Sequence, residues 1–302
     1  MIGIVLLNYQ KWGETVQCIT SIRKNRPKSE EYMIYVVDNA SPNKQTVEFI
    51  KIKNDKDIFF IQSSSNKGYA AGNNLGIRQA ILDNCDYIIV SNSDIYFQEN
   101  SIDEIAFFLK NKKGICFPKI YNLDGDISNI SKKYIEKMYE MYFFCTPLKK
   151  YISNKNLINL NGEKNVKTHL NMGPCFALDI ENAKKIGHLD ENTTLYFEEM
   201  ILSRKADEND VSIYYCPRSV VIHGEGKSTE SVGAFALMCF DESAIYYCRR
   251  YLKANILKIY PLYLYFIFRY WIKSIRNIKF KLNKAEHKNR LKKMMKGNYK
   301  LT

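Results

Sequence analysis

The chain has 302 residues, a formal charge of +13, 46% hydrophobic and 25% charged residues, and no low-complexity tract, which excludes a disordered or fibrous protein. Its eight cysteines, at positions 18, 85, 116, 145, 175, 216, 239 and 248, are scattered without a CxxC pair. That excludes a disulfide framework or a zinc ribbon and fits reduced, mostly buried thiols in a cytosolic chain.

The charge is uneven. Positions 249–302 hold 16 Lys/Arg against one acid, Glu286, a net of +15, whereas positions 1–248 hold 29 basic and 31 acidic residues, a net of −2. Such asymmetry assigns an anionic partner to the tail, either a membrane surface or nucleic acid.

The first half alternates strands and helices. Ile2–Leu7 reads as a strand, and no basic leader precedes it, so no signal peptide is expected. Trp12–Lys24 places Val16, Ile19 and Ile22 at helical spacing. Met33–Val37 is a second strand, a helix follows over about Lys44–Lys53, and Ile58–Gln62 is a third strand. Gly68–Leu82 contains a further helix. Tyr87–Val90, short, apolar and bounded by polar residues, is a fourth strand. This order predicts an α/β chain with a doubly wound, mostly parallel sheet and its function at the carboxyl edge.

Four strand ends give that edge content: Asn8-Tyr9, Asp38-Asn39, Asn66-Lys67-Gly68 and Asn92-Ser93-Asp94. Polar residues after strands are common in turns, but four converging on one rim favour a nucleotide-type pocket. Asp94 is a hard oxygen ligand suited to Mg²⁺ or Mn²⁺, which usually take further oxygens from a substrate's phosphates; its competing use is to cap the next turn. Gly68, Gly72 and Gly76 recur every fourth residue, so neither a G-x-G-x-x-G fingerprint nor a P-loop is present. They are expected to permit a tight turn and close packing of the helix carrying Asn73 and Asn74.

Positions 120–168 are less regular and Tyr-rich, and read as an insertion beside the site. Met172–Leu178 is strand-like and contains Gly173-Pro174; Asp179–Ile186 reads as a short helix. Glu198 and Glu199 open a further helix, where the macrodipole alone would favour them. Val211–Cys216 and Ser219–Ile222 read as two strands, the second closed by His223 and followed by Gly224 to Ser228.

Taken together, these segments resemble the family-two inverting glycosyltransferases of the GT-A fold, closest to the rhamnosyl- and galactosyltransferase-like branch of bacterial surface polysaccharide synthesis. The resemblance covers Ile2 to about Ser228 and rests on ordered motifs. These are Leu7-Asn8-Tyr9, Val36 to Ser41, Asn66 to Asn74, Asn92-Ser93-Asp94, Gly173-Pro174-Cys175, Gly187 to Glu191, Tyr196 to Glu199 and Pro217 to His223. It implies a catalytic domain over 1–230, with a nucleotide-sugar half to about 118 and an acceptor half beyond.

By the same resemblance, Asn8, Tyr9, Asp38, Asn39, Lys67, Asn73, Asn92 and Ser93 would line a UDP- or dTDP-sugar. Asp94 would be the metal ligand of a DXD-like element, His223 would complete the metal or diphosphate site, and Glu199 would be the general base. Two departures stand out: the family usually has Asp at position 199, and its acid two residues on is Ile201 here. Glu198 is therefore the competing base. A sugar-1-phosphate nucleotidyltransferase is the alternative enzyme, but Asn8-Tyr9-Gln10-Lys11 is not the basic, Gly-rich loop it needs. An inactive membrane-bound scaffold is the non-enzymatic alternative.

Beyond residue 231 the chain is expected to be helical. Ile259–Phe268 is an apolar run of ten between Lys258 and Arg269, too short to cross a bilayer, which needs about 20 residues. It suits an interfacial segment on an anionic leaflet, with Tyr263, Phe266, Phe268 and Trp271 inserted. Packing on the domain or homo-oligomerisation is the alternative use. No nucleic-acid motif accompanies the basic run. Membrane association would place the chain on the inner face of the cell membrane, beside a lipid-linked acceptor.

Overall fold

The computed structural model describes residues 1–28, 30–128, 131–132, 134–148, 157–158, 166–168, 173–224 and 233–299. Position 172 and positions 225–228 of the segments above, with much of the 120–168 stretch, lie outside the described residues. The chain builds β1 (Ile2–Asn8), α1 (Trp12–Lys24), β2 (Tyr32–Asp38), α2 (Val47–Ile52), β3 (Ile58–Gln62), α3 (Tyr69–Leu82) and β4 (Tyr87–Asn92). Next come β5 (Ile95–Phe97), α4 (Ser101–Asn111), β6 (Ile115–Tyr121), β7 (Ser131–Lys132), α5 (Met138–Cys145), β8 (Leu157–Ile158) and β9 (Val166–Thr168). The remainder is β10 (Cys175–Asp179), α6 (Ile180–Ile186), α7 (Glu198–Glu208), β11 (Ile213–His223), α8 (Ala234–Arg250), α9 (Ile256–Arg276) and α10 (Ile278–Met295).

Nine strands form one sheet in the order β3-β2-β1-β4-β10-β6-β11-β5, with β9 added to β11. β1 pairs in parallel with both β2 and β4, and its residues Ile2 to Leu6 are buried on both faces, which is why they read as an unbroken apolar run. β10 enters antiparallel between β4 and β6. One face of the sheet packs Ile4 and Leu6 against Trp12, Ile19 and Ile22 of α1 and Ile105 of α4. The other packs Val5, Tyr35 and Val37 against Ile77 and Ala80 of α3 and Ala206 of α7. A Cβ on Gly72 would lie 2.5 Å from Leu7 Cδ1, and one on Gly76 2.5 Å from Val5 Cγ1, so these glycines let α3 lie directly on β1.

Three differences from the sequence reading have physical reasons. The two strands expected over Val211–Ile222 are one strand, β11. Its register on β6 shifts between Cys216 and Val220, where Pro217 has no N–H to give the ladder. The strand expected from position 172 begins at Cys175, after the Gly173-Pro174 turn. Phe266, expected at a membrane interface, is wholly buried.

The C-terminal helices pack into the body rather than trailing from it. Ile245 and Tyr247 of α8, Leu262 and Phe266 of α9 and Leu291 of α10 share a core with Met141 of α5 and Phe197, Met200 and Ile201 at the start of α7. A buried ionic knot ties the three helices: Asp241 of α8 accepts from Arg269 of α9 and pairs at 2.9 Å with His287 of α10, whose ring stacks on Tyr270.

Candidate active site

The site grows from strand register. β5 follows Asp94 directly and pairs antiparallel with the end of β11, placing His223 opposite Ile95. That pairing brings residues 129 apart in sequence together: His223 Nε2 lies 3.3 Å from Asp94 Oδ1, and Gly224 N–H donates to the Asp94 carbonyl at 2.8 Å. Lys11, just beyond β1, reaches the other oxygen of Asp94 at 3.0 Å. Burial pushes the Asp94 carboxyl up, but His223 and Lys11 outweigh it and hold it below the usual value. Asp94 Oδ1 is buried, and the 3.3 Å approach of His223 is not a well-aligned hydrogen bond.

The other rim residues divide into two kinds. Asn8 and Asp38 are buried and already satisfied. Asn8 donates to Asp38 Oδ1 and Ser41 Oγ at 3.2 Å each, and its oxygen accepts from the Lys11 N–H and Thr15 Oγ1. Asp38 also accepts from Ser41 Oγ at 2.5 Å and Gln62 Nε2 at 2.9 Å. These two fix the shape of the rim. Asn39 and Asn73 are different. Their amide groups donate to Asn66 Oδ1 and Gly68 O, and to Tyr69 O, while each Oδ1 is buried without a partner. Ser93 is buried, Asn92 half-buried, and Tyr9 and Lys67 exposed.

The acids approach the same rim from the opposite side. Tyr196 and Phe197, just before α7, both hold left-handed backbone conformations, with φ of 72° and 71°. Such geometry is costly for aromatic residues and persists only where surroundings enforce it, typically at functional sites. Here Phe197 is held among Phe144, Phe240 and Tyr247. The turn releases Glu198 and Glu199 at the helix start. Glu199 Oε1 accepts from Gly173 N–H at 3.2 Å, and Tyr69 Oη donates to the Gly173 carbonyl at 3.0 Å. Pro174, the next residue, accepts from Asn92 N–H at 2.8 Å, so Glu199 is two short links from the Asn92-Ser93-Asp94 turn. Glu198 Oε1 is buried without a partner. Burial raises both carboxyls, and the charge of Glu199 raises Glu198 further.

Several contributors were not legible in sequence. In the sequence Lys11 is only part of a loop lacking glycine, and nothing local shows that it reaches Asp94. The segment before the acids is another. Tyr69 N–H donates to Thr194 O at 2.9 Å, and a Cβ on Gly68, whose φ is 100°, would lie 2.5 Å from that oxygen. Asn74 bonds Leu189 and Glu191, Ser243 of α8 donates to the Leu195 carbonyl, and Arg290 of α10 reaches Thr194. Asp190 accepts from Tyr246 and Tyr251 hydroxyls at 2.6 and 2.5 Å.

Burial opposes ionisation of Asp190, but the two hydroxyls and Asn192 more than offset it and lower its pKa from 3.8. The stability it gives is therefore present above about pH 4 and is lost as pH falls through the lower folded value. Asp190→Ala leaves two buried hydroxyls unpaired and is expected to destabilise the chain by about 3 kcal/mol. Urea titration at neutral pH checks the size, and a smaller gap between variant and parent in acid checks the sign.

The sequence profile of "Glycosyl transferase family 2" matches residues 3–187. The chain is 28% identical over 230 residues to the low-salt glycan biosynthesis hexosyltransferase Agl10 of Haloferax volcanii, covering 74% of this chain and 67% of that one. Its fold matches GalNAc-T7, solved with UDP, GalNAc and Mn²⁺, at a TM-score of 0.59 and 15% identity, over 98% of this chain and 56% of that chain. It also matches S. aureus TarS 1-349, solved with UDP-GlcNAc, at 0.50 and 14%, over 82% of this chain and 66% of that chain. The α/β architecture is thus GT-A-like, a mixed, mostly parallel sheet with C-terminal helices. The profile spans more than half of the sequence, and the chain belongs to glycosyl transferase family 2.

Proposed function

We propose that this transferase moves a rhamnose or hexose, with inversion, from a UDP- or dTDP-sugar to a hydroxyl of a lipid-linked glycan in surface polysaccharide synthesis. The observation that carries the reading is a set of buried acceptor oxygens around the carboxyl edge that no hydrogen bond satisfies, Asn39 Oδ1, Asn73 Oδ1 and Glu198 Oε1, with Asp94 Oδ1 met only by the 3.3 Å approach of His223. Buried polar atoms are normally paired, so such a set calls for a ligand that brings donors or a cation. Asn39 and Asn73, with Lys67, Tyr9, Asn92 and Ser93 near them, would take the base, ribose and sugar. Asn8 and Asp38 would hold the rim in shape and present its outer atoms.

The residues fit a divalent cation. Asp94 Oδ1 faces the His223 imidazole nitrogen at 3.3 Å, a hard oxygen with a borderline nitrogen that Mg²⁺ or Mn²⁺ accepts. Among the described residues no third His, Cys, Asp or Glu joins them, so further ligands would come from the donor's phosphates, as is usual for such ions. A bound ion supplies positive charge that stabilises the departing diphosphate. Lys11 adds a second positive charge at the same carboxylate.

Glu199, with Glu198 as competitor, accepts the proton of the acceptor hydroxyl. The acceptor oxygen bonds to the anomeric carbon as the bond to the diphosphate breaks. One carboxylate suffices for this single displacement, whereas a hydrolase needs a flanking pair. The relatives support the donor class: one is a hexosyltransferase of glycan biosynthesis, and two neighbours were solved with UDP or a UDP-sugar. The acceptor would bring the chain to the anionic inner face of the cell membrane. Among the described residues, no helix is long and apolar enough to cross a membrane.

Incubating the full chain with a panel of UDP- and dTDP-sugars and Mn²⁺, and measuring nucleoside diphosphate release, tests the reading. One donor should be hydrolysed well above the rest. Release from none of them, or conversion of a nucleoside triphosphate and a sugar-1-phosphate to nucleotide sugar and pyrophosphate, would overturn it.

A further inference from the structure

α9 has two apolar faces on opposite sides. Ile259, Leu262, Phe266 and Tyr270 are buried against the body. Leu257, Tyr260, Leu264, Phe268, Trp271 and Ile275 are 44% to 82% exposed. Steps of three and four residues keep these six within about a third of the helix circumference. Beyond the Asn277 cap, Ile278 and Leu282 at the start of α10 are also exposed, at 65% and 75%. Scattered exposed apolar residues need no explanation, but six on one face of a single helix, with two more at the start of the next, do.

Charge identifies what covers the row. Lys281, Lys288, Lys292 and Lys293 are exposed on the outer side of α10, and Lys258 and Arg276 are exposed at the two ends of α9. Glu286 is the one acid in the whole tail. A second copy of this chain would bring the same positive margin against it and be repelled. A surface with an apolar interior and an anionic boundary matches both parts, and aromatic side chains such as Tyr260, Phe268 and Trp271 favour that boundary. We infer that the Leu257–Leu282 stripe of α9 and α10 lies on an anionic lipid surface, with its apolar row in the acyl boundary and its cations at the headgroups.

The inference rests on the proposed membrane-borne acceptor only for its purpose, and it deepens that reading by naming the contact. The same helices hold the active-site side from behind, through Arg290 to Thr194 and Glu242 and, on α8, Ser243 to Leu195. The lipid-facing row and the turn that releases Glu198 and Glu199 therefore belong to one packed unit, which fixes the height of the site above the surface.

The test uses the full chain without donor. It should co-sediment with phosphatidylcholine vesicles containing phosphatidylglycerol, weakly with phosphatidylcholine alone, and less as salt is raised. The triple substitution Leu264→Glu, Phe268→Glu, Trp271→Glu touches only exposed positions. It should lower partition by roughly ten-fold or more and leave circular dichroism, thermal midpoint and nucleotide binding as in the parent. If the triple variant loses its fold, Lys281→Glu with Lys292→Glu should by itself weaken anionic-vesicle binding. Equal binding to both vesicle types, unchanged binding in these variants, or a dimer in size-exclusion chromatography that the substitutions dissociate while vesicles are ignored would each overturn the assignment. Because no donor is present, failure here leaves the transfer chemistry standing, and failure of donor turnover leaves vesicle binding standing.

Discussion

Glu199→Gln is expected to lower kcat by about 10²–10⁴-fold while leaving donor affinity nearly unchanged, the range for loss of a positioned general base. The amide keeps an oxygen where Glu199 Oε1 now accepts from Gly173 N–H, so the local fold should survive. What disappears is the ability to take a proton. The pH profile separates this from a structural effect. Burial raises both Glu198 and Glu199, and a base works only when deprotonated. The acid limb of kcat should therefore lie above the ordinary Glu range near 4.3, with activity rising as pH rises through it. Removing the neighbouring carboxylate should shift or abolish that limb. Should Glu198→Gln be the dead variant and Glu199→Gln remain active, the base is Glu198, whose Oε1 has no partner.

Asp94→Ala is expected to reduce transfer by roughly 10³-fold or more, since stabilising a leaving diphosphate through a bound cation is worth several kcal/mol. The variant removes the side-chain approach to His223 at the end of β11, and the backbone link from Gly224 to the Asp94 carbonyl remains. The thermal midpoint should change little, because Lys11 is about half exposed and loses a partner it can replace with water. A variant that melts far below the parent would instead make Asp94 a structural anchor between Lys11 and His223.

The parallel half of the fold was legible because its signals are local. Buried strands read as apolar runs, α1 kept a helical period, and polar residues marked each strand end. The missing middle failed for the same kind of reason. β5 has three residues, too few for any period, although α4 carries Ile102, Ile105 and Leu109 at a spacing that could have revealed it. β11 was split because Pro217-Arg218-Ser219 looks like a turn, and only the neighbouring β6 shows it to be a register shift.

At the site, residue types were readable but their partners were not. Asn8 and Asp38 looked like ligand-binding groups and are engaged with each other, which only the β1–β2 register reveals. Lys11 became part of the site through its reach to Asp94, across 83 residues. In the tail, the apolar run Ile259–Phe268 hid two opposite faces. Tertiary packing took Phe266 inward and left Phe268 and Trp271 outside.

Calorimetric titration of UDP and dTDP into the full chain, with and without Mn²⁺, tests the central claim most directly. Saturable binding of at least one nucleotide is expected, requiring Mn²⁺ in the parent and lost in Asp94→Ala. Binding of neither nucleotide, or binding that is independent of Mn²⁺ and unchanged in Asp94→Ala, would contradict it.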